Sequence, residues 1–175
     1  MSQQNIILTG FMGTGKTTLG RLLAEKIGYQ FVDTDALIEQ QTGTTIADLF
    51  QSYGETAFRK LESELVENLA QKGGLVIATG GGLVLNSKNV TTLNKTGQII
   101  CLTASPEEIF ARVTKQQNVR PLLQGEDPLE KIRQLLQQRA TVYQQFPQFS
   151  TSEQSPYKLV DAILKLTNCL EWKKG

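Results

Sequence analysis

The residues best suited to chemistry lie near the start of the chain, in the stretch NIILTGFMGTGKTT at positions 5–18. Gly10, Gly15, Lys16 and Thr17 occupy the fixed places of the pattern G-x-x-x-x-G-K-[ST]. Gly10, Gly13 and Gly15 lack a Cβ, so the backbone can curl and aim several N–H groups at one phosphate. The helix expected after them points the positive end of its dipole at the same anion. Lys16 can reach the β- and γ-phosphates of a nucleotide, and the Thr17 hydroxyl can ligate Mg²⁺. An apolar run, Ile6-Ile7-Leu8, precedes the turn and a helical pattern follows it. A glycine turn with an incidental lysine is the bland alternative. The strand-turn-helix setting argues for a nucleoside triphosphate site.

Ligands of an open parallel sheet bind beyond the carboxyl ends of its strands. Two further strand ends therefore matter: Asp33-Thr34-Asp35 and Gly80-Gly81-Gly82. Asp or Thr at the first could simply cap the next helix. A P-loop kinase also needs a carboxylate near Mg²⁺, usually at the end of another strand. The third strand ends in glycine, so Asp33 is the candidate for the metal side. Asp35 would point the same way in an extended backbone, where it could hold an acceptor hydroxyl and take its proton. The chain has no histidine, so a general base must be a carboxylate, lysine, tyrosine or water. Gly80–Gly82 is either a flexible turn or a place where backbone N–H groups approach a small ligand. Arg59 and Glu62 are spaced i, i+3 and can pair. Such pairs are ordinary on surfaces, though Glu62 could also hold Arg59 so that its fork meets a carboxylate. Arg120, beside Pro121 in a polar stretch, is a solvated loop charge or an arginine finger closing over phosphates. Arg139 lies on an amphipathic helix, where exposure is the default.

These groups need a scaffold. A chain of 175 residues suits one domain, 1–175, with one sizeable core. Net charge is +1 with no block of like charge, which argues against a nucleic-acid or anionic-membrane partner. Cys101 and Cys169 fit neither a disulfide framework nor a metal spacing, so a reducing, cytoplasmic setting is expected, with Cys101 a small core residue. No apolar stretch reaches the length of a membrane span. Only MSQQ precedes Asn5, so no signal or transit peptide is expected in this chain.

Leu19, Leu22, Leu23 and Ile27 recur at helical spacing, and Gly28 stops that helix. Phe31-Val32 reads as a short strand and 36–41 as a helix. Thr45 to Asp48 resembles a capping box, opening a short helix that carries Ile46, Leu49 and Phe50. Gly54 separates it from a longer helix over 55–71. Strands are expected at 75–78 and 98–102, with a helix over 86–93 between them. Ser105-Pro106 is a clean helix start. A polar loop covers 115–127, a helix 129–146, and Ser155-Pro156 caps a last helix. Strands alternating with helices imply βαβ units and a mainly parallel sheet.

Six segments, in their order and spacing, resemble the shikimate kinase family: GFMGTGKTTLGRLLA (10–24), FVDTD (31–35), FRKLE (58–62), TGGG (79–82), RPLL (120–123) and RATVY (139–143). The resemblance implies an α/β, three-layer P-loop NTPase fold similar to nucleoside monophosphate kinases. Its five-stranded parallel sheet would be flanked by helices, with shikimate-binding helices at about 35–62 and a mobile lid at about 113–127. Members transfer the γ-phosphoryl of ATP to the 3-hydroxyl of shikimate, with Mg²⁺, on the pathway to chorismate and the aromatic amino acids. They imply a monomer whose partners are shikimate and ATP.

The resemblance also implies roles. Gly13, Thr14, Gly15, Lys16, Thr17 and Thr18 would cradle the nucleotide phosphates. Asp33 and Thr17 would serve Mg²⁺, and Asp35 would bind the shikimate hydroxyls near the attacking oxygen. Arg59 and Arg139 would grip the shikimate carboxylate, helped by a glycine of the run Gly80, Gly81, Gly82. Glu62 would orient Arg59, and Phe50 and Phe58 would wall the pocket. Lys16, Asp35 and Arg120 would be catalytic, with Arg120 reaching both substrates from the lid. Arg112 would stack on adenine, with residues near Pro156 on its other side. One departure from the family is FPQFSTSEQSP at 146–156, where Pro147 predicts a short or edge fifth strand. Alternatives are a related small-molecule kinase such as a gluconate kinase, or a nucleotide-binding regulator that no longer catalyses. The latter would lack Lys16, Asp35 or Arg120, and all three are present.

Overall fold

The computed structural model describes residues 4–115, 127–152 and 154–167. Its elements run β1 (Asn5–Gly10), α1 (Lys16–Ile27), β2 (Gln30–Asp33), α2 (Thr34–Thr42), α3 (Ile46–Leu69), β3 (Leu75–Ala78), a 3₁₀ turn (Leu83–Leu85), α4 (Ser87–Asn94), β4 (Gly97–Thr103), α5 (Pro106–Lys115), α6 (Pro128–Tyr143), β5 (Gln148–Ser150) and α7 (Pro156–Leu166). The five strands form one parallel sheet in the order β2-β3-β1-β4-β5.

Parallel strands covered on both faces read as continuous apolar runs, and β1 and β3 are buried throughout. Their side chains alternate between two cores. Ile6, Leu8, Val76, Ile100 and Leu102 pack under α1 and α7, against residues such as Leu23 and Ile163. Ile7, Ile77, Ile99 and Cys101 face the other way, into a cluster with Phe58, Leu65, Leu93, Ile109, Ile132 and Tyr143 from α3 to α6. The expected three layers are thus present. Cys101 is fully buried, which pushes its thiol up to about 11 despite the nearby Lys16 charge.

Several boundaries move, each for a local reason. Helix α2 begins at Thr34, earlier than expected, because the Asp33 Oδ1 atom accepts from the N–H groups of Asp35 and Ala36. Thr45 caps α3 as expected, accepting from the Asp48 N–H. The two helices divided at Gly54 are one kinked element, with Gly54 at φ 77° and ψ 172° breaking the helical path. Helix α6 stops at Tyr143, short of Phe146. Ser105 forms a reciprocal capping box with Glu108. Ser155 stands at the N-cap of α7, but its side chain makes no capping bond there. Strand β5 is three residues long and lies at the sheet edge. Pro147 still contributes a carbonyl, accepting from the Cys101 N–H. The expected lid falls largely on 116–126, which with Arg120 lies outside the described residues, as does Cys169.

Candidate functional site

The strand order puts β3 between β1 and β2, so the ends of all three meet at one side of the sheet. The turn after β1 feeds α1 through Gly15, which sits at φ 88°. Helix α1 carries no side-chain cap and no acidic residue in its first turn. An N-terminus of that kind, led by Lys16, Thr17 and Thr18, is where backbone N–H groups and the helix dipole favour an anion. Lys16 Nζ donates to the carbonyls of Gly10 (2.9 Å) and Phe11 (2.8 Å), which holds it over the turn. Thr14 is buried and pins the turn by donating to the Phe11 carbonyl at 2.7 Å.

Asp33 is shared between two tasks. One oxygen caps α2, and the other accepts from the Thr17 hydroxyl at 3.1 Å. The capping reading of this residue is therefore realised by one oxygen, while the other lies against the Thr17 hydroxyl. Asp35 is half-buried in the first turn of α2. The expected extended geometry does not occur there, because the cap at Asp33 has already started the helix.

The run Gly80-Gly81-Gly82 meets a different charged side chain at each step. A Cβ on Gly80 would lie 2.7 Å from Asp35 Oδ1 and 3.1 Å from Glu62 Oε1. On Gly81 it would lie 3.2 Å from Arg139 Nη1, and on Gly82 2.5 Å from Arg59 Nη2. The space beside each glycine is taken by a charged side chain, which a Cβ would have to displace. The Gly80 N–H is itself occupied, donating to Thr34 Oγ1 at 2.9 Å.

Two arginines expected at ordinary surface positions are in fact held in place. Arg59 donates to Glu62 Oε2 at 2.7 Å and to Glu55 Oε1 at 2.9 Å. Glu62 is only 1% exposed, so this is no surface pair. Burial pushes the Glu62 carboxyl above its ordinary range, helped by the Asp35 charge, while Arg59 pulls it back. Arg139 is 8% exposed, with its guanidinium 5.4 Å from the Phe11 ring centre. Phe50 and Phe58 pack with ring centres 4.7 Å apart, and Arg59 lies over Phe58. The geometry thus gathers two guanidinium groups and two carboxylates around one glycine run, beside the uncapped helix.

On the opposite side of the turn, Arg112 donates to the Gly13 carbonyl (3.1 Å), to Thr151 Oγ1 (2.9 Å) and to the Thr151 carbonyl (3.0 Å). It therefore ties the turn to the stretch after β5. Ser152 bonds to Glu108 at the head of α5. Pro156 stands exposed at the start of α7. Sequence reasoning gave no part to Thr34 or Tyr143. Tyr143 donates to the Gly81 carbonyl at 2.7 Å. Its one signal was a place four residues after Arg139 on the same helical face.

A phosphate-binding turn at the end of a central parallel strand, with side chains from neighbouring elements turned toward it, defines a P-loop phosphotransferase. The shikimate kinase profile matches residues 12–168. Shikimate kinase of Thermodesulfovibrio yellowstonii is 45% identical over 163 residues, covering 93% of this chain and 94% of its own. Among solved structures, the shikimate kinase from Acinetobacter baumannii in complex with shikimate superposes with a TM-score of 0.87 at 38% identity, over 94% of this chain and 92% of that one. This chain therefore belongs to the shikimate kinase family, phosphotransferases that act on an alcohol group. A gluconokinase from Sinorhizobium meliloti gives a TM-score of 0.58 at 17% identity, over 98% of each chain, and shares the fold alone.

Proposed function

We propose that the chain transfers the γ-phosphoryl of ATP to the 3-hydroxyl of shikimate, giving shikimate 3-phosphate and ADP. The observation that carries this reading is the convergence of Asp35, Arg139 and Arg59 on Gly80, Gly81 and Gly82, next to the phosphate-binding turn. An acceptor with one carboxylate and several hydroxyls matches that set: guanidinium forks for the carboxylate, an aspartate for the hydroxyls. The backbone contact to the substrate falls to Gly81 or Gly82, since the Gly80 N–H is engaged by Thr34. Glu62 and Glu55 hold the Arg59 fork from one side, and Phe50 and Phe58 form an apolar wall.

On the nucleotide side, Gly13, Thr14, Gly15, Lys16, Thr17 and Thr18 cradle the phosphates, and Lys16 leaves its loop carbonyls to meet the β- and γ-oxygens. Arg112 and the neighbourhood of Pro156 flank the adenine. The Thr17 hydroxyl and Asp33 Oδ2, 3.1 Å apart, are hard oxygen donors. Among the described residues no group of three or more His, Cys, Asp or Glu could hold a metal by itself. Mg²⁺ needs no such cluster, since it takes one or two protein oxygens plus phosphate oxygens and water. When bound, Mg²⁺ neutralises charge on the transferring phosphoryl group. Asp35 aligns the acceptor hydroxyl and receives its proton. Arg120 is assigned to transition-state charge by the resemblance alone.

Among the described residues no helix is long and apolar enough to cross a membrane. A cytoplasmic monomer without nucleic-acid or membrane partners is assigned by the resemblance alone. The deciding experiment is ADP release from Mg-ATP with shikimate, gluconate or AMP added in turn. Stimulation by shikimate alone is expected. A response to gluconate would overturn the acceptor, and no response to any of them would favour a non-catalytic nucleotide-binding regulator.

A further inference from the structure

We propose that Tyr143 is a positioning residue that locks Arg139 to the glycine run and so sets the grip on the substrate carboxylate. The inference rests on the reading that Arg139 meets that carboxylate. Tyr143 follows Arg139 by one turn of α6, so both side chains leave the same helical face. Its ring is 5% exposed, inside the cluster that also holds Phe11, whose ring carries the Arg139 guanidinium. The hydroxyl gives its single proton to the Gly81 carbonyl at 2.7 Å. A phenol has one proton to donate, so the remaining lone pairs are free to accept.

The acceptor's neighbour is Arg139. A Cβ on Gly81 would stand 3.2 Å from Arg139 Nη1 and 3.5 Å from Tyr143 Oη, so both groups sit over the same point of the backbone. The Gly10 carbonyl lies 3.2 Å from that point as well, which brings the first residue of the phosphate-binding turn into the same cluster. Burial raises the Tyr143 hydroxyl pKa, and the Arg139 charge opposes that rise, as expected for an oxygen beside a cation. Tyr143 thus ties helix α6 to the glycine run at the point that the Arg139 guanidinium and the Gly10 carbonyl also approach. With its hydroxyl removed, the guanidinium keeps its ring contact with Phe11 but loses a fixed polar neighbour, and the orientation of its fork is released.

The test is a double-mutant cycle read by direct titration of shikimate and by steady-state kinetics. Tyr143→Phe keeps the ring, so folding is preserved and the thermal midpoint moves by only about a few degrees. Its shikimate Kd and KM are expected to rise about tenfold as the Arg139 fork loses its orientation, with the KM for ATP unchanged. In an Arg139→Lys background, which lacks Nη1, the same change is expected to have under about a twofold effect, because coupled residues are not additive. An unchanged Kd in Tyr143→Phe, or an equal rise in both backgrounds, overturns the proposal while leaving the acceptor pocket intact. If Arg139→Lys itself leaves shikimate binding unchanged, the pocket reading fails and takes this inference with it.

Discussion

At Gly15 the backbone sits at φ 88° and a Cβ would meet nothing within 4 Å, whereas at Gly82 a Cβ would lie 2.5 Å from Arg59 Nη2. The first glycine answers a demand of conformation, the second a demand of space. Both turns lie at the same side of the sheet, and on the proposed reading the difference follows from how each would recognise its ligand. The nucleotide side is built from backbone, so its glycines bend the chain until N–H groups converge. The proposed acceptor side is built from side chains carried by α2, α3 and α6, so its glycines make room for charged groups to reach the backbone. Phosphates are alike in every nucleoside triphosphate, and a backbone cradle suffices for them. A particular acceptor needs forks and carboxylates in fixed places.

The largest expected effect lies where the two sides meet. Replacing Asp35 by Asn keeps the shape but removes the proton acceptor, and kcat should fall roughly 10²- to 10⁴-fold with shikimate affinity little changed. Intact turnover would show that Asp35 is not the base. Next comes Gly82→Ala. The clash is with the far end of an arginine side chain, so the fold should tolerate it while Arg59 is displaced. A rise of roughly 10- to 100-fold in the KM for shikimate is expected, the worth of a charged hydrogen bond, with the KM for ATP unaltered.

Gly15→Ala should show the converse. A non-glycine residue in left-handed backbone costs about 1–2 kcal/mol, visible as a lower unfolding midpoint in urea. Relief of that strain would shift the turn and raise the KM for ATP, leaving that for shikimate alone. Should each variant change both constants equally, the division into a backbone side and a side-chain side is wrong.

The smallest effect concerns pH. Glu62 in the folded chain holds its proton above the ordinary carboxyl value of 4.5, because it is buried and faces Asp35. Between that value and its raised folded one, the folded state binds more protons than the unfolded state. The contribution of Glu62 to stability is therefore fully present at low pH and is lost as pH rises through the folded pKa. Glu62→Gln should flatten that part of the profile, gaining on the parent in thermal midpoint as pH rises toward neutrality. Parallel profiles for the two proteins would show that the Arg59 pair offsets the burial completely.

Much of the nucleotide side could be read locally. The phosphate-binding turn, its preceding strand and its following helix lie within residues 5–27, and each is set by spacing within a few residues. The alternation of strands and helices followed from apolar periodicity, and the short edge strand from Pro147. The acceptor side was less legible. Glu62 and Arg139 look like solvated helix charges at their own positions, because the groups that cover them come from the turns after β3 and β1. Thr34 looks like one more capping residue until β3 brings the Gly80 N–H to its hydroxyl. Asp35 reads as extended from its neighbours alone, because only the cap at Asp33, two residues earlier, starts the helix there.

The amino-acid sequence by itself determined the phosphate-binding turn, the parallel α/β class and the identities of the charged groups. Those depend on torsional preference, apolar period and side-chain chemistry, which act over short stretches of chain. Tertiary structure decided which charges are buried, which glycines must remain bare and which arginines point into the site. Those properties belong to pairs of residues far apart in sequence, and they exist only once the strand order β2-β3-β1 has brought the pairs together.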